Sequence, residues 1–410
     1  MAAQKKSFDP DMRRCWNYDF RWTPEHLTQE QMQPLRHTMD DLASDCIEPL
    51  TKLASEDKTS GDSKPTDLMK LDMYTLLRDN HEKHEALTRF WEQINTVPDW
   101  VDWEQIERGQ KVYYRYGHSM GIALAFQSLL GGMGSGNIVE TLGRTGGFSA
   151  KVVRHRLLET LQHTLQVTKS LESIRPLGDG HASTVRVRLL HASVRNRILQ
   201  LVEQRPAYYD VAKHGIPIND LDSIGTICSF APTVIYIGLP RQGIFMSDQE
   251  ATDYIALWRL ISHYIGTPTE WFETPSRARA IMESIMVAEI NPTRMSGVLA
   301  RNIIQGLKNT PPLYASAGVL EGMTRSLIGN ELSNELGIGN PDIFAWMFVG
   351  WVFIYAATLA YVCRSVQALD EKQVQYNKKK FWGLLMDAKT GLGKETNFNF
   401  KYVPHDEKAK

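Results

Sequence analysis

Apolar positions recur at intervals of three and four through most of this chain. The runs EQIERGQKVYYRYGHSMGIALAFQSLL (104–130), AKVVRHRLLETLQHTLQVTKSLESI (150–174) and TVRVRLLHASVRNRILQLVEQ (184–204) follow that spacing rather than strand-like alternation. They predict long helices. Another helix is predicted to start at Thr23-Pro24, with Thr as the cap and Pro at the first helical position. TVIYIGL (233–239) is β-branched and a candidate strand, although Pro240 follows it and helical segments surround it. Residues 54–67, ASEDKTSGDSKPTD, have the composition of an exposed, flexible loop. No internal repeat is visible, so the expectation is an all-α protein built as one large helical domain. Residues 1–84 form an N-terminal helical extension, 85–400 the main body and 401–410 a polar tail.

One segment departs from this amphipathic pattern. IFAWMFVGWVFIYAATLAYVC (343–363) holds 21 residues without a charge, enough to cross a bilayer, for which about 20 apolar residues suffice. Arg364 and Lys378-Lys379-Lys380 follow it, so a spanning helix would leave the C-terminus in the cytosol. The alternative is a helix buried on all sides. A mean hydropathy of -0.32 for the whole chain favours burial.

Composition then narrows the classes. The 410 residues carry 46 Lys and Arg against 47 Asp and Glu, a net charge of -1, which argues against a generic nucleic-acid binder. The four cysteines (15, 46, 228, 363) form no CxxC pair, which points away from zinc ribbons and disulfide scaffolds and toward a reducing compartment. The first twenty residues lack the apolar core of a signal peptide, so the expected location is intracellular, cytoplasmic or on an intracellular membrane.

The charge is unevenly placed. Residues 151–205 hold ten Lys and Arg against four acids, a local +6. On a helical wheel Val187, Leu190, Val194, Ile198 and Leu201 form an apolar stripe that contains His191. Arg188 and Arg195 border it on one side, Arg186 and Arg197 on the other. An imidazole in an apolar setting ringed by guanidinium groups suits haem, whose iron takes a neutral imidazole and whose propionates take Arg. The same pattern fits a core histidine whose arginines reach solvent, or a basic recognition helix. On the preceding helix Arg156, Thr160 and His163 share a face. Upstream, GGMGSGNIVETLGRTGG (131–147) is superficially similar to a phosphate-cradling loop but lacks the spacing and the βαβ unit; its glycines read as turns and close helix approach, with Glu140 between them. His81-Glu82-Lys83-His84 is one residue short of a zinc-protease HExxH motif.

GRTGGFSAKVVRHRLLETLQHTLQVT, VRVRLLHASVRNRI and GIPINDLDSIGTICSF together resemble the rubber oxygenase family, which comprises the bacterial latex clearing proteins and fungal relatives. The resemblance spans about residues 100–370. It looks closest to the fungal branch, which includes the oxygenase of mycophenolic acid biosynthesis. It implies a globin-reminiscent helical fold holding haem b within 85–400. His191 would be the proximal iron ligand, and Arg188 and Arg195 would lie in the haem environment. Arg156 and Thr160 would lie on the distal side, and Glu140 would be the catalytic base. Latex clearing proteins carry a lysine just before that threonine, where this chain has Glu159, so a lysine-capped iron is excluded and a free distal position is expected. His163 is a further candidate for a pocket role. The activity implied is oxygenation of an apolar, isoprenoid or other alkene-containing small molecule, with dioxygen taken up opposite His191. Monooxygenase or peroxidase-like outcomes would use the same parts. A haem carrier or sensor without turnover, and a basic-helix interaction protein without haem, are the rival readings.

Overall fold

The computed structural model describes residues 9–56 and 72–398. The tail expected at 401–410 and residues 57–67 of the expected loop lie outside them, while residues 54–56 end a helix. The chain is helical almost throughout, as its periodicity predicts.

The N-terminal segment differs from the expected helical extension. It opens with an antiparallel hairpin, β1 (Met12–Cys15) paired with β2 (Tyr18–Arg21), Met12 opposite Arg21 and Cys15 opposite Tyr18. Thr23-Pro24 starts no helix. Instead the Thr23 backbone N–H donates to His26 Nδ1 at 3.0 Å, and His26 Nε2 meets the Glu283 carboxylate at 2.8 Å. That pair pins the segment to the body, and the capping box forms later, between Thr28 and Gln31.

Thirteen helices carry the argument below: α1 (Asp41–Glu56), α2 (Glu85–Asn95), α3 (Trp103–Ile122), α4 (Gly136–Thr145), α5 (Val153–Thr168), α6 (Asp179–Gln204), α7 (Asp220–Phe230), α8 (Asp248–Ile265), α9 (Pro275–Glu289), α10 (Arg294–Leu307), α11 (Ala317–Ile328), α12 (Ile343–Ser365) and α13 (Gln367–Met386). The predicted 104–130 helix is α3 continued by a π-helical segment, Ala123–Leu130. The candidate strand 233–239 is also π-helical, over Val234–Gly238, because it packs beside Ala123–Leu130 with no neighbouring strand to pair with.

The body is organised around the crossing of α3 and α8. A Cβ at Gly109 would lie 2.3 Å from the Asp253 carbonyl oxygen, so only glycine permits this approach. Tyr113, Tyr254 and Trp258 are buried around the crossing. Each side chain of this size, fully removed from water, contributes roughly 1.5–3 kcal/mol. A second apolar core lies among α10, α11 and the 123–130 segment, with Leu299, Ile303, Met323 and Leu327 at its centre. A second tight approach brings α5 and α6 together, since a Cβ at Gly180 would meet the Gln166 carbonyl oxygen at 2.7 Å. This fixes the relative placement of the two helices on which the sequence concentrates its candidate chemistry.

The uncharged segment forms α12, capped by Asp342. Burial on all sides is not what the structure shows. Ala345, Val349, Ala360 and Cys363 face inward, and α11 and α13 pack against the helix. Phe344, Met347, Phe348, Trp351, Ile354 and Tyr355 are exposed along the other face. A helix that is apolar all round has no polar stripe to mark its outer side, so its sequence alone does not reveal which face is open.

Candidate functional site

A cavity of about 670 Å³ runs between the two cores, lined mainly by apolar side chains including Leu124, Leu157, Leu161, Leu190, Val194 and Ile227. It draws on residues far apart in sequence. Cys15, Trp16 and Tyr18 from the hairpin, α4, α5, α6, α7 and the end of α9 all contribute. The hairpin at the start of the N-terminal segment is therefore part of the cavity wall. Pro312, which is exposed, also lines the cavity, so it reaches the surface near the 310–312 turn.

His191 stands on this wall, presented by α6. Its ring makes no hydrogen bond to any described residue. Burial, then the Arg195 and Arg156 charges, push its pKa down to about 4, so the imidazole is neutral at physiological pH and its lone pair is free. Arg156 and Thr160, one turn apart on α5, line the same cavity. Arg156 Nη1 donates to Glu159 at 2.7 Å, and Thr160 Oγ1 donates back to the Arg156 carbonyl at 3.1 Å. Glu159 is buried, takes this bond and also lies 3.5 Å from His155 Nε2; it is not on the cavity wall. His191, Arg156 and Thr160 are thus brought together, and Glu159 serves to hold the arginine.

Three other expected site residues lie elsewhere. Glu140 is absent from the wall. On α4 the residues Ile138, Thr141, Leu142 and Thr145 face the cavity, and one helical turn places residues 140 and 144 on the opposite side. Glu140 pairs there with Arg144 at 2.7 Å, and Arg144 reaches the Tyr208 carbonyl at 2.9 Å. Arg188 makes a two-pronged pair with Asp40 (2.7 and 2.8 Å) and donates to Gln93 at 2.7 Å. Arg195 is committed to Ser44 Oγ at 2.7 Å and the Ile218 carbonyl at 2.9 Å. These two arginines fasten α6 to α1 and the 217–218 loop and do not line the cavity, although the Arg195 charge still acts on His191. His163 is also withdrawn from the cavity, its Nδ1 3.1 Å from Ser183 Oγ in the α5–α6 interface.

Two guanidinium groups on the wall lack an acidic partner among the described residues. Arg154 donates to the Thr390 carbonyl at 2.8 Å and weakly to that of Pro311. Arg241 bonds the Leu327 carbonyl, Asn17 Oδ1 and Gln127 Oε1. Both line the cavity with their charge uncompensated, and burial lowers the Arg241 pKa to about 10. They suit an anionic ligand group entering the cavity. An imidazole that is neutral and has no hydrogen-bond partner among the described residues, on an apolar wall that also carries guanidinium groups without an acidic partner, is compatible with haem, with His191 as the residue that would hold its iron. Among the described residues no group of three or more His, Cys, Asp and Glu side chains could hold a bare metal ion.

Sequence reasoning missed a carboxyl on the wall, Asp222 of α7. It lies deep in the protein but faces the cavity. Burial first, then the nearby Glu289 charge, raise its pKa to about 7. As the third residue of a helix capped by Asn219 it looks like an ordinary first-turn acid. The available signal is its company: Gly225, Thr226 and Ser229 continue its face with small side chains, and all line the cavity.

The buried histidines give a pH prediction. His181 donates from Nε2 to the Ile94 carbonyl at 2.7 Å and accepts the Leu177 N–H at Nδ1, so both nitrogens are satisfied only in the neutral ring. Burial lowers its pKa, and that of His163, to about 4. The folded state therefore takes up these protons later than the unfolded chain, and the stability they confer is complete above pH 6.5 and lost as pH falls toward 4. Asp222 acts in the opposite sense over part of this range, since the fold favours its protonated form. Urea unfolding between pH 7 and 4.5 is expected to show a loss that His181→Gln flattens and Asp222→Asn steepens.

The fold and site define a helical protein with a largely apolar internal cavity and a neutral histidine on its wall. Residues 114–364 match the family model described as ER-bound oxygenase mpaB/B'/Rubber oxygenase, catalytic domain. The match covers more than half of the chain, which therefore belongs to this family and carries the catalytic domain of an oxygenase. The fold is similar to that of latex clearing protein LCP in its closed state, with a TM-score of 0.57 and 18% identity over 85% of this chain and 90% of that one. No curated protein matches the sequence.

Proposed function

We propose that the protein is a haem b-dependent oxygenase that uses dioxygen to oxidise an apolar, alkene-containing small molecule of isoprenoid type. The observation that carries this reading is His191, neutral and unpartnered on the wall of a largely apolar cavity, within a chain of the oxygenase family. Bound haem would supply redox activation of dioxygen, chemistry that no side chain provides. The protein's own residues would do the rest. The leucine-rich wall excludes water and takes the hydrocarbon by burial of apolar surface. Arg156, held by Glu159, places hydrogen-bond donors on the wall that also carries His191, where negative charge developing on oxygen would be stabilised, while the Thr160 hydroxyl, its proton donated to the Arg156 carbonyl, presents an acceptor there. Glu140 is turned away from the cavity, so no proton transfer is assigned to it in this conformation. Incubating the purified protein with a panel of prenylated and terpenoid alkenes under dioxygen, with products read by mass spectrometry, tests the reading. Haem without oxygen-dependent product across the panel would leave a carrier or sensor.

A second element of the proposal is attachment to a membrane surface, favoured by the open face of α12. Phe344, Phe348, Trp351 and Tyr355 stand three or four residues apart, and Leu313 and Tyr314, which follow the Pro311-Pro312 cavity lining in sequence, are exposed as well. One side of α12 is packed on the protein, so the helix suits lying in the lipid interface rather than crossing it. The cavity would then open beside the phase in which apolar substrates dissolve. The protein is expected to float with phosphatidylcholine vesicles in a density gradient, and Phe348→Asp/Trp351→Asp to remain at the bottom. Equal flotation of the two proteins would exclude this docking face.

A further inference from the structure

One corner of the cavity is polar in a way that the proposed oxygen chemistry does not use. Three elements meet there. The N-terminal end of α4 supplies Ser135 and Asn137, the first turn of α7 supplies Asp222, and the last residue of α9 is Glu289. Ser135 forms an isolated antiparallel bridge with Ile290, the residue after Glu289, and this locks the α4 and α9 ends together. Both Glu289 oxygens are engaged, Oε1 by the buried Arg36 guanidinium and Oε2 by Asn137 Nδ2 at 2.9 Å. Asn137 Oδ1 in turn faces His214 Nδ1 at 2.8 Å. Glu289 is therefore a fixed anion whose charge Arg36 neutralises. Asp222 is an additional carboxyl beside it, with no side-chain partner and only the Asn219 backbone N–H turned toward it. Ser135 is 4% exposed, lines the cavity, and its Oγ has no hydrogen-bond partner among the described residues.

Buried polar groups normally find partners, because each one left unpaired costs about 1–3 kcal/mol. Here the Ser135 hydroxyl has none among the described residues, and the Asp222 carboxyl on the same wall has only the Asn219 backbone N–H. From this corner we infer that Asp222 and Ser135 form a subsite for a hydrogen-bonding end group on an otherwise apolar ligand, with Asp222 donating to a carbonyl or hydroxyl oxygen. Glu289 and Arg36 are positioning residues: the fixed anion keeps the Asp222 proton in place. This rests on the proposed apolar substrate and sharpens it. The preferred molecule is an isoprenoid with one oxygenated end, not a plain hydrocarbon.

Binding separates this inference from the oxygenase reading. The probes are geranylacetone, an isoprenoid methyl ketone that only accepts hydrogen bonds, and an alkene of the same length without the carbonyl. Affinities are read by tryptophan fluorescence on the protein as purified, and on His191→Ala, so that absence of haem or of turnover does not affect the outcome. At pH 6 the ketone is expected to bind about tenfold more tightly than the alkene, the value of one good hydrogen bond to a buried donor. The charged groups facing Asp222 are Glu289 from α9, Arg36 from the turn before α1 and Arg195 from α6. With these fixed, ionisation of Asp222 above pH 7 removes the donor, and the ketone preference is expected to fall. Asp222→Asn, which keeps an N–H donor and has no proton to lose, is expected to hold the preference level across pH. Asp222→Leu is expected to abolish it, and Ser135→Ala to reduce it. Equal affinities at pH 6, an unchanged preference in Asp222→Leu, or a preference in Asp222→Asn that still falls above pH 7 would each overturn the assignment. The Asn variant decides the matter even if the Leu variant fails to fold.

Discussion

His191→Ala is expected to yield a folded protein that lacks the Soret absorption of the wild type and has no oxygen-dependent turnover. The imidazole opens on an existing cavity and has no hydrogen bond to lose, so its removal leaves little new unsatisfied surface. The expected cost to folding is accordingly small, within about 1 kcal/mol, while the expected loss of bound haem is nearly complete. This separation makes the variant informative, because a histidine that merely fills the core would show the reverse. Far-UV circular dichroism and a urea midpoint establish that the fold survives, and the absorption spectrum reads the cofactor. Exogenous imidazole restoring the band would place the missing ligand at the vacated position. A wild-type protein expressed with ample haem and showing no Soret band, or an undiminished band in the variant, would end the haem reading.

Arg188→Leu is expected to behave oppositely. It strands the buried Asp40 carboxylate, which takes both prongs of the guanidinium, and leaves Gln93 Oε1 and the Tyr264 carbonyl without their donor. Breaking a buried ion pair from one side costs about 3–5 kcal/mol, because the remaining charge is neither hydrated nor matched. A fall in Tm of roughly 4–6 °C is expected, with haem content per folded molecule unchanged at low temperature. Replacing both partners, Asp40→Leu together with Arg188→Leu, is expected to recover most of the loss, since no lone charge remains. Haem loss in Arg188→Leu at temperatures where the fold is intact would return this arginine to the cofactor site.

The contrast between these residues shows what periodicity can reveal. The position of His191, Arg156 and Thr160 on one cavity wall follows from helices whose apolar spacing fixes each residue's neighbours one turn away. Arg188 and Arg195 share a wheel sector with His191, but their direction is decided by Asp40 and Ser44, about 150 residues earlier, and a wheel has no access to such partners. Glu140 shows the same limit: the resemblance placed it near the chemistry, whereas the cavity-facing residues of its own helix are Ile138, Thr141, Leu142 and Thr145. Asp222, Glu289 and Ser135 come from three separate elements, and only the tertiary fold makes them neighbours. The hairpin at 12–21 went unseen because four-residue strands carry too few alternations to stand out beside long helical runs.

The two π-helical segments, Ala123–Leu130 and Val234–Gly238, lie against each other, and a Cβ at Gly238 would come within 2.7 Å of that of Ala123. Leu124, Ala125, Gln127, Ser128 and Leu129 present the first segment to the cavity. A π-turn accommodates one more residue than an α-turn of the same span. Removing a single residue from this stretch would therefore let it relax into ordinary helix over the same span, with the helix on either side kept in register. The change would be confined to the bulged turn, which would lose one of the side chains it now presents to the cavity wall. A one-residue deletion here would thus reshape the wall while leaving the surrounding helices where they are.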